Sequence, residues 1–185
     1  GRVVEVRKTV HKVFWAWDFQ KEEDWLNAQA AKGMNLVAAG PLSYAFEEGE
    51  PGVYTYRLEL LDNLPWSMGE REYLRFMEDA GIEQVASMGR WVYFRKRTDG
   101  GAFELFSDID SRIKHLRRIQ LIALFALAAE FFAMVVGVPN LVKGSPEMAL
   151  VVAVLVAALA LATALPALRI VREIRRLKAE RKVRE

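Results

Sequence analysis

Residues 119–138 read IQLIALFALAAEFFAMVVGV and residues 149–168 read ALVVAVLVAALALATALPAL. The two segments are equal in length and predominantly apolar throughout. A helix rises about 1.5 Å per residue, so either one would cross a hydrocarbon core roughly 30 Å thick. A pair of buried core helices is the alternative, but such helices usually keep a polar stripe, and the second segment has only Thr163 as a polar side chain. Both segments lie in the C-terminal half, so neither reads as a signal peptide.

The link at 139–147, PNLVKGSPE, holds two prolines and a glycine and is expected to turn the chain into an antiparallel transmembrane hairpin. Its outer flanks are strongly basic. Arg112, Lys114, Arg117 and Arg118 precede the first span, and Arg169, Arg172, Arg175 and Arg176 follow the second, continued by Lys178, Arg181, Lys182 and Arg184. Excess Lys and Arg beside span ends marks the cytoplasmic side, so a multi-pass protein of the cytoplasmic (inner) membrane with both termini inside is expected. The flanking cations would meet anionic lipid headgroups, at about 1 kcal/mol each.

The join SDIDSRIKHLRRI at 107–119 admits two readings. Asp108 and Asp110 could hold a divalent cation, with His115 nearby, but no third ligand is apparent. As a helix start, Ser107 and Asp110 have capping-box spacing, with Asp for the usual Glu or Gln, and first-turn acids suit the helix dipole. The second reading is the stronger. It divides the chain into a soluble domain at 1–106, a basic juxtamembrane helix start at 107–118, the hairpin at 119–168 and a basic helical tail at 169–185.

Composition sets further bounds. The 185 residues contain no Cys and two widely separated His, which removes disulfides, thiol nucleophiles and Cys-bound zinc and argues against a His-rich metal site. The net charge of +2 conceals an acidic front and a basic back: residues 1–106 carry 13 basic and 17 acidic side chains, residues 107–185 carry 13 and 7. An acidic front half repels phosphate backbones, which argues against nucleic acid as a partner.

The front half alternates strand-like and helix-like segments. A strand is expected at 8–17, then a helix opened by Asp18 and stopped by Gly33, an extended run at 34–46, an alternating strand at 53–61, a helix at 67–80 stopped by Gly81, and a last strand within 82–97. That order, β-α-β-β-α-β, predicts an α+β, ferredoxin-like domain. One sheet face would carry the helices and the other would be open or packed on a partner. Arg57 and Glu59, and Trp91, Tyr93 and Arg95, are the candidate sheet-face binding residues. Trp15, Trp17 and Trp91 are expected in the core and Trp66, beside Pro65, nearer the surface. The helix at 67–80 is expected to pack through Tyr73, Leu74, Phe76 and Met77.

Glu130 is the twelfth residue of the first span, near the bilayer middle, where a carboxylate costs roughly 2.5–3.5 kcal/mol on insertion scales. Such a residue either marks assembly or a pathway or is carried neutral in the span, and Thr163 is its candidate hydrogen-bond partner. No Walker loop, G-x-S-x-G, zinc-protease His pair or dinucleotide fingerprint occurs, so neither catalytic residues nor a cofactor are assigned.

VFWAWDFQKEEDWLNAQAAKGMNLV, FEEGEPGVYTYRLELLDNLP, RWVYFRK and FELFSDIDSRIKHL together resemble the bacterial membrane-protein family known as domain of unknown function 2812, over about 8–116 and into the hydrophobic spans. Its members occur mostly in Gram-positive bacteria, often encoded beside PadR-type transcriptional regulators. The resemblance implies a membrane-tethered regulatory or sensory role and supplies no catalytic residues. The expected function is therefore a cytoplasmic domain that binds a protein or small ligand, or a second copy of the chain, and couples it to the membrane. The alternatives are a small transport or channel subunit assembled around Glu130 and a metal-dependent enzyme at the lipid surface using Asp108 and Asp110.

Overall fold

The computed structural model describes residues 7–106 and 108–184 and divides into two compact units, Gly1–Asp108 and Ile109–Glu185. The first is mixed α/β. Its elements run β1 (Arg7–His11), α1 (Phe19–Ala30), β2 (Met34–Ala39), β3 (Ser43–Glu48), β4 (Tyr54–Leu60), α2 (Met68–Asp79), β5 (Glu83–Met88) and β6 (Trp91–Arg97). They form two antiparallel three-stranded sheets, ordered β1-β3-β2 and β4-β6-β5.

This differs from the β-α-β-β-α-β order expected from the sequence. The extended run at 34–46 is the hairpin β2–β3, turned at Gly40, whose N–H donates to Ser43 O at 2.8 Å. The last strand is the hairpin β5–β6, turned at Gly89, which has φ +58°. The first strand ends at His11, and a short 3-10 turn at Ala16–Asp18 leads into α1. Asp18 makes no side-chain cap bond; it pairs with Lys21 at 2.8 Å.

The unit is two copies of one β-α-β-β plan, related by a constant offset in sequence from helix to last strand. Each helix ends at a glycine in the left-handed region, Gly33 (φ +83°) and Gly81 (φ +78°), and 33 to 81 is 48 positions. Each middle strand carries a register shift, between Leu36 and Ala38 and between Gln84 and Ala86, which leaves Val37 and Val85 as the extra residues at the same offset. A bulge adds a residue that has no opposite number and bends the strand at that point. Gly33 has a second constraint: a Cβ there would stand 2.4 Å from Gly49 O.

In each half the helix packs on its own sheet. Trp25 of α1 meets Tyr44 and Phe46 at ring distances of 4.9 and 5.7 Å, and Met77 of α2, with Tyr73 and Leu74, clusters with Val92, Phe94 and Phe103. Strands β2 and β5 lie side by side. α1 is also held by the second sheet, so that Leu26, Ala30, Leu36, Phe46, Tyr56, Leu58 and Tyr93 form one core. Phe76 of α2 faces out and is 67% exposed, against expectation. Trp15 is likewise more than half exposed and lies outside the core, stacked on Trp17 at 5.4 Å; Trp66 is at the surface.

The second unit consists of α3 (Ile109–Phe132), a widened helical turn at Ala133–Gly137, α4 (Val138–Val142) and α5 (Pro146–Arg184). The link expected at 139–147 is shorter than its prolines suggested. Pro139 follows the widened turn inside a helix that runs unbroken from 109 to 142, where the ladder has already shifted, Val138 N–H reaching back to Ala133 O. Pro146 opens α5, where a missing N–H breaks no helical bond. Buried Ile113, Leu116, Ile119 and Ala123 of α3 and Thr163, Ala167, Ile170, Ile174 and Leu177 of α5 recur at three- and four-residue steps, the spacing of a helix–helix seam. Asp110 at the start of α3 pairs with Arg181 near the end of α5 at 2.7 Å. Both helices are long and apolar enough to cross a membrane, with only 11% of either apolar window buried. Leu121, Leu124, Phe125, Phe131, Leu155 and Leu161 turn outward.

Candidate functional site

The polar centre of the first unit lies on α1. Tyr44 Oη of the first sheet and Tyr93 Oη of the second both donate to Glu22 Oε1 at 2.6 Å. Burial raises the Glu22 carboxyl above its ordinary range, against the opposing pull of the two hydroxyl donors. Burial, then the neighbouring Glu22 carboxylate, pushes both tyrosine hydroxyls up as well, so they remain donors.

One turn along, α1 closes the open edge of β4. Asn27 Oδ1 accepts from Tyr56 N at 2.7 Å, and Asn27 Nδ2 donates to Tyr56 O at 3.2 Å. Glu23 Oε1 accepts from Leu58 N at 2.8 Å. Desolvation is the main cause that lifts the Glu23 carboxyl to about 7; the Leu58 N–H and Arg57 oppose it, and Asp24 and Glu22 add to it. An edge strand normally exposes unpaired N–H and C=O groups, and here side chains of a helix satisfy them. Tyr56 returns a contact to the first half, its hydroxyl accepting from Leu36 N at 3.0 Å.

The five candidate sheet-face residues divide between the two faces of the second sheet. Register places Arg57 and Glu59 opposite Phe94 and Val92, on the side covered by α2. Glu59 is buried and accepts from Tyr73 Oη at 2.7 Å, while Arg57 lies 6.0 Å over the Phe103 ring. Trp91, Tyr93 and Arg95 point the other way, toward α1 and the first sheet. Trp91 meets Phe19, Tyr93 is fully buried on Glu22, and Arg95 bridges to Glu83 at 2.8 Å above the Tyr54 ring. The second sheet is thus covered on both faces, because the chain spends two further strands on a first sheet that sends α1 across it.

An open concavity lies beside α2 instead. A groove of about 540 Å³ runs between α2 and β5, with Arg71, Leu74 and Arg75 on the helix side, Gln84 and Ser87 on the strand side, and the exposed Trp66 at its rim. Neither arginine was singled out in the sequence. The signal that could have found them is the constant offset between the halves, which puts Arg71 and Arg75 at the positions of Glu23 and Asn27.

In the second unit Thr163 Oγ1 lies 2.9 Å from Glu130 Oε1 and 3.0 Å from Leu159 O, and both Thr163 and Glu130 are buried. Glu130 Oε2 is buried without a hydrogen bond. Of the basic flank, Arg112 and Arg176 approach Glu173 at 4.0 and 3.8 Å. Lys114, Arg117, Arg118, Arg169, Arg172 and Arg175 lie on the same stretches of α3 and α5. Asp110 stands in the first turn of α3, ion-paired to Arg181. Ser107 lies outside the described residues. Among the described residues no three His, Asp or Glu side chains gather as a metal site.

The sequence profile described as Protein of unknown function (DUF2812) matches residues 18–128, which spans both halves of the α/β unit from α1 onward and the first part of α3. The chain belongs to this family. No curated protein and no solved structure matches it.

Proposed function

We propose that this family member is a two-span protein of the cytoplasmic membrane, with α3 and α5 as a transmembrane hairpin. Its acidic α/β unit lies on the cytoplasmic side and binds a protein or small ligand whose occupancy is passed to the membrane helices, a regulatory or sensory role. The observation that carries the reading is the outward apolar surface of α3 and α5: side chains such as Phe125 and Phe131, 75% and 70% exposed, have no protein cover and suit lipid. Clusters of Arg on the two outer flanks supply the orientation. The groove on α2 supplies a place for a ligand.

Cysteine labelling tests it, since the chain has no native Cys. Ser145→Cys should react with a membrane-impermeant maleimide on intact cells, and Asp99→Cys only after permeabilisation. The reverse pattern, or a protein soluble without detergent, overturns the topology. Affinity capture from native membranes should recover partners that are lost when residues 1–106 are removed; identical recovery overturns the binding role.

A second reading, a small channel or transport subunit, is favoured by one observation, the buried and unbonded Glu130 Oε2. An intramembrane carboxyl with a spare acceptor fits a pathway or a subunit contact. Glu130→Gln with unchanged assembly and unchanged ion flux removes that reading.

A further inference from the structure

The two halves of the α/β unit share one plan and use it differently. In the first half, α1 is gripped from both sides: its own sheet lies on one, and β4 of the other half lies along the second. Glu23 and Asn27, one helical turn apart, hold backbone groups of Leu58 and Tyr56, which are next-but-one neighbours on β4. The match is geometric, because one helical turn is about 5.4 Å and two steps of extended chain are about 6.6 Å. In the second half, α2 is held on its own sheet, and the place equivalent to that of β4 is the groove.

The correspondence is residue by residue. Lining residues Arg71, Leu74, Arg75 and Glu78 of α2 stand 48 positions after Glu23, Leu26, Asn27 and Ala30, and Gln84 and Ser87 of β5 stand 48 after Leu36 and Ala39. In the first half Leu26, Ala30 and Leu36 are core residues packed with Tyr56 and Leu58 of β4, Ala39 lies against the same core, and Glu23 and Asn27 bond its edge. The groove therefore has the shape of a strand seat without the strand.

We propose that this groove binds an extended acidic peptide segment of a protein partner, laid along α2 as β4 is laid along α1. The proposal rests on the reading of this unit as a binding module and names the class of its partner. The chemistry follows from the exchanged residues. Glu23 accepts an N–H from its strand, and Asn27 both accepts and donates. Arg71 and Arg75 can only donate, in a planar fork suited to carboxylates and carbonyls. Two such forks one turn apart match acidic side chains, or main-chain carbonyls, at alternate positions of an extended chain. The acid that β5 contributes to the groove, Glu83, is already engaged by Arg95. Glu78 stands one turn beyond Arg75 on α2. Trp66 at the rim and Leu74 in the floor offer apolar contact to the intervening residues.

The full-length chain in detergent is titrated into a fluorescein-labelled octapeptide alternating glutamate with valine, and separately into one alternating lysine with valine, and anisotropy is read. The acidic peptide binds and the basic one does not, and R71A/R75A weakens binding by about tenfold or more, the scale of losing charge-assisted contacts. Both arginines are exposed, so the double variant keeps its fold, checked by unchanged tryptophan emission and melting. No binding of the acidic peptide, or equal binding by wild type and R71A/R75A, overturns the proposal. Displacement by inorganic phosphate at matched concentration overturns it in favour of a small-anion site. Partner capture that depends on residues 1–106 but is indifferent to R71A/R75A removes the groove and leaves the binding role standing. Peptide binding without any partner dependent on residues 1–106 supports the groove and removes the role proposed above.

Discussion

A single oxygen of Glu22 receives the hydroxyl hydrogens of Tyr44 and Tyr93, one from each sheet, both at 2.6 Å. Those tyrosines come from different halves of the chain and share no strand pairing, so the carboxyl on α1 joins the two halves of the unit. Hydrogen bonds to a charged partner contribute about 1.5–3 kcal/mol each. Tyr44→Phe and Tyr93→Phe should each lower the unfolding free energy by about that amount, and Glu22→Ala should cost more than either, because it leaves two buried hydroxyls without their acceptor. Urea unfolding followed by tryptophan emission reads this unit alone, since all five Trp lie between residues 15 and 91. A neutral Tyr93→Phe would show that the clamp adds nothing to stability.

Glu23 sets a pH dependence. Its folded carboxyl titrates at about 7, against the ordinary range near 4.5 in an unfolded chain, chiefly because burial disfavours the charge. The folded state therefore holds this proton more tightly than the unfolded state does. The contribution is fully present below pH 4.5 and is lost as pH rises through 7, by up to about 3 kcal/mol. Glu22 is raised in the same direction and adds to the slope. Glu23→Gln keeps an oxygen for Leu58 N and carries no charge, so it should flatten the fall in urea midpoint between pH 5 and 8 and be the more stable form at pH 8. Midpoints that rise with pH in the wild type, or a variant that runs parallel to it, contradict this.

The helices, their glycine stops and the apolar spans were legible because each rests on a local signal: 3.6-residue periodicity, a left-handed glycine, length against bilayer thickness. The hairpins at Gly40 and Gly89 were missed because Leu36–Phe46 and Val85–Phe94 stay β-rich on both sides of a short turn, so each pair of strands reads as one. The duplicated plan was hidden by the opposite uses of equivalent positions. Tyr93 is a buried hydroxyl donor where Ala45 stands, and Arg71 and Arg75 occupy the places of Glu23 and Asn27. Glu22 and Glu23 carry no sequence signal of burial, because acids near the start of a helix suit its dipole whichever way they point. Their partners come from later in the chain: Tyr44 of the first sheet and Tyr93 of the second for Glu22, and Leu58 of the second for Glu23.

Asn27 gives a local test of edge closure. Its amide satisfies both the N–H and the C=O of Tyr56 on the outer edge of β4. Asn27→Ala should speed hydrogen exchange at the Tyr56 amide by about tenfold or more, while Leu58, still held by Glu23, changes less. Residue-resolved exchange, by NMR or by electron-transfer fragmentation of the peptide 54–60, checks it. Uniform acceleration across both amides would mean that α1 has lifted from β4 as a whole and that the two side chains do not act separately.

Glu130 and Thr163 test the packing of the second unit. Thr163 has one hydroxyl proton and two acceptors within reach, Glu130 Oε1 at 2.9 Å and Leu159 O at 3.0 Å, so when the proton serves Leu159 the contact with Glu130 needs a proton from the carboxyl itself. Either arrangement couples the two side chains across the helix seam. Interhelical hydrogen bonds in membranes average about 0.6 and reach about 1.7 kcal/mol in double-mutant cycles. Glu130→Leu, Thr163→Val and the double variant should therefore show a coupling within that range. Separation of the helices can be followed by energy transfer between dyes on cysteines at 114 and 178, where Lys114 and Lys178 stand near the paired ends. Additive single effects would mean that the 2.9 Å contact holds nothing together, and Glu130 would then be retained for its unbonded second oxygen.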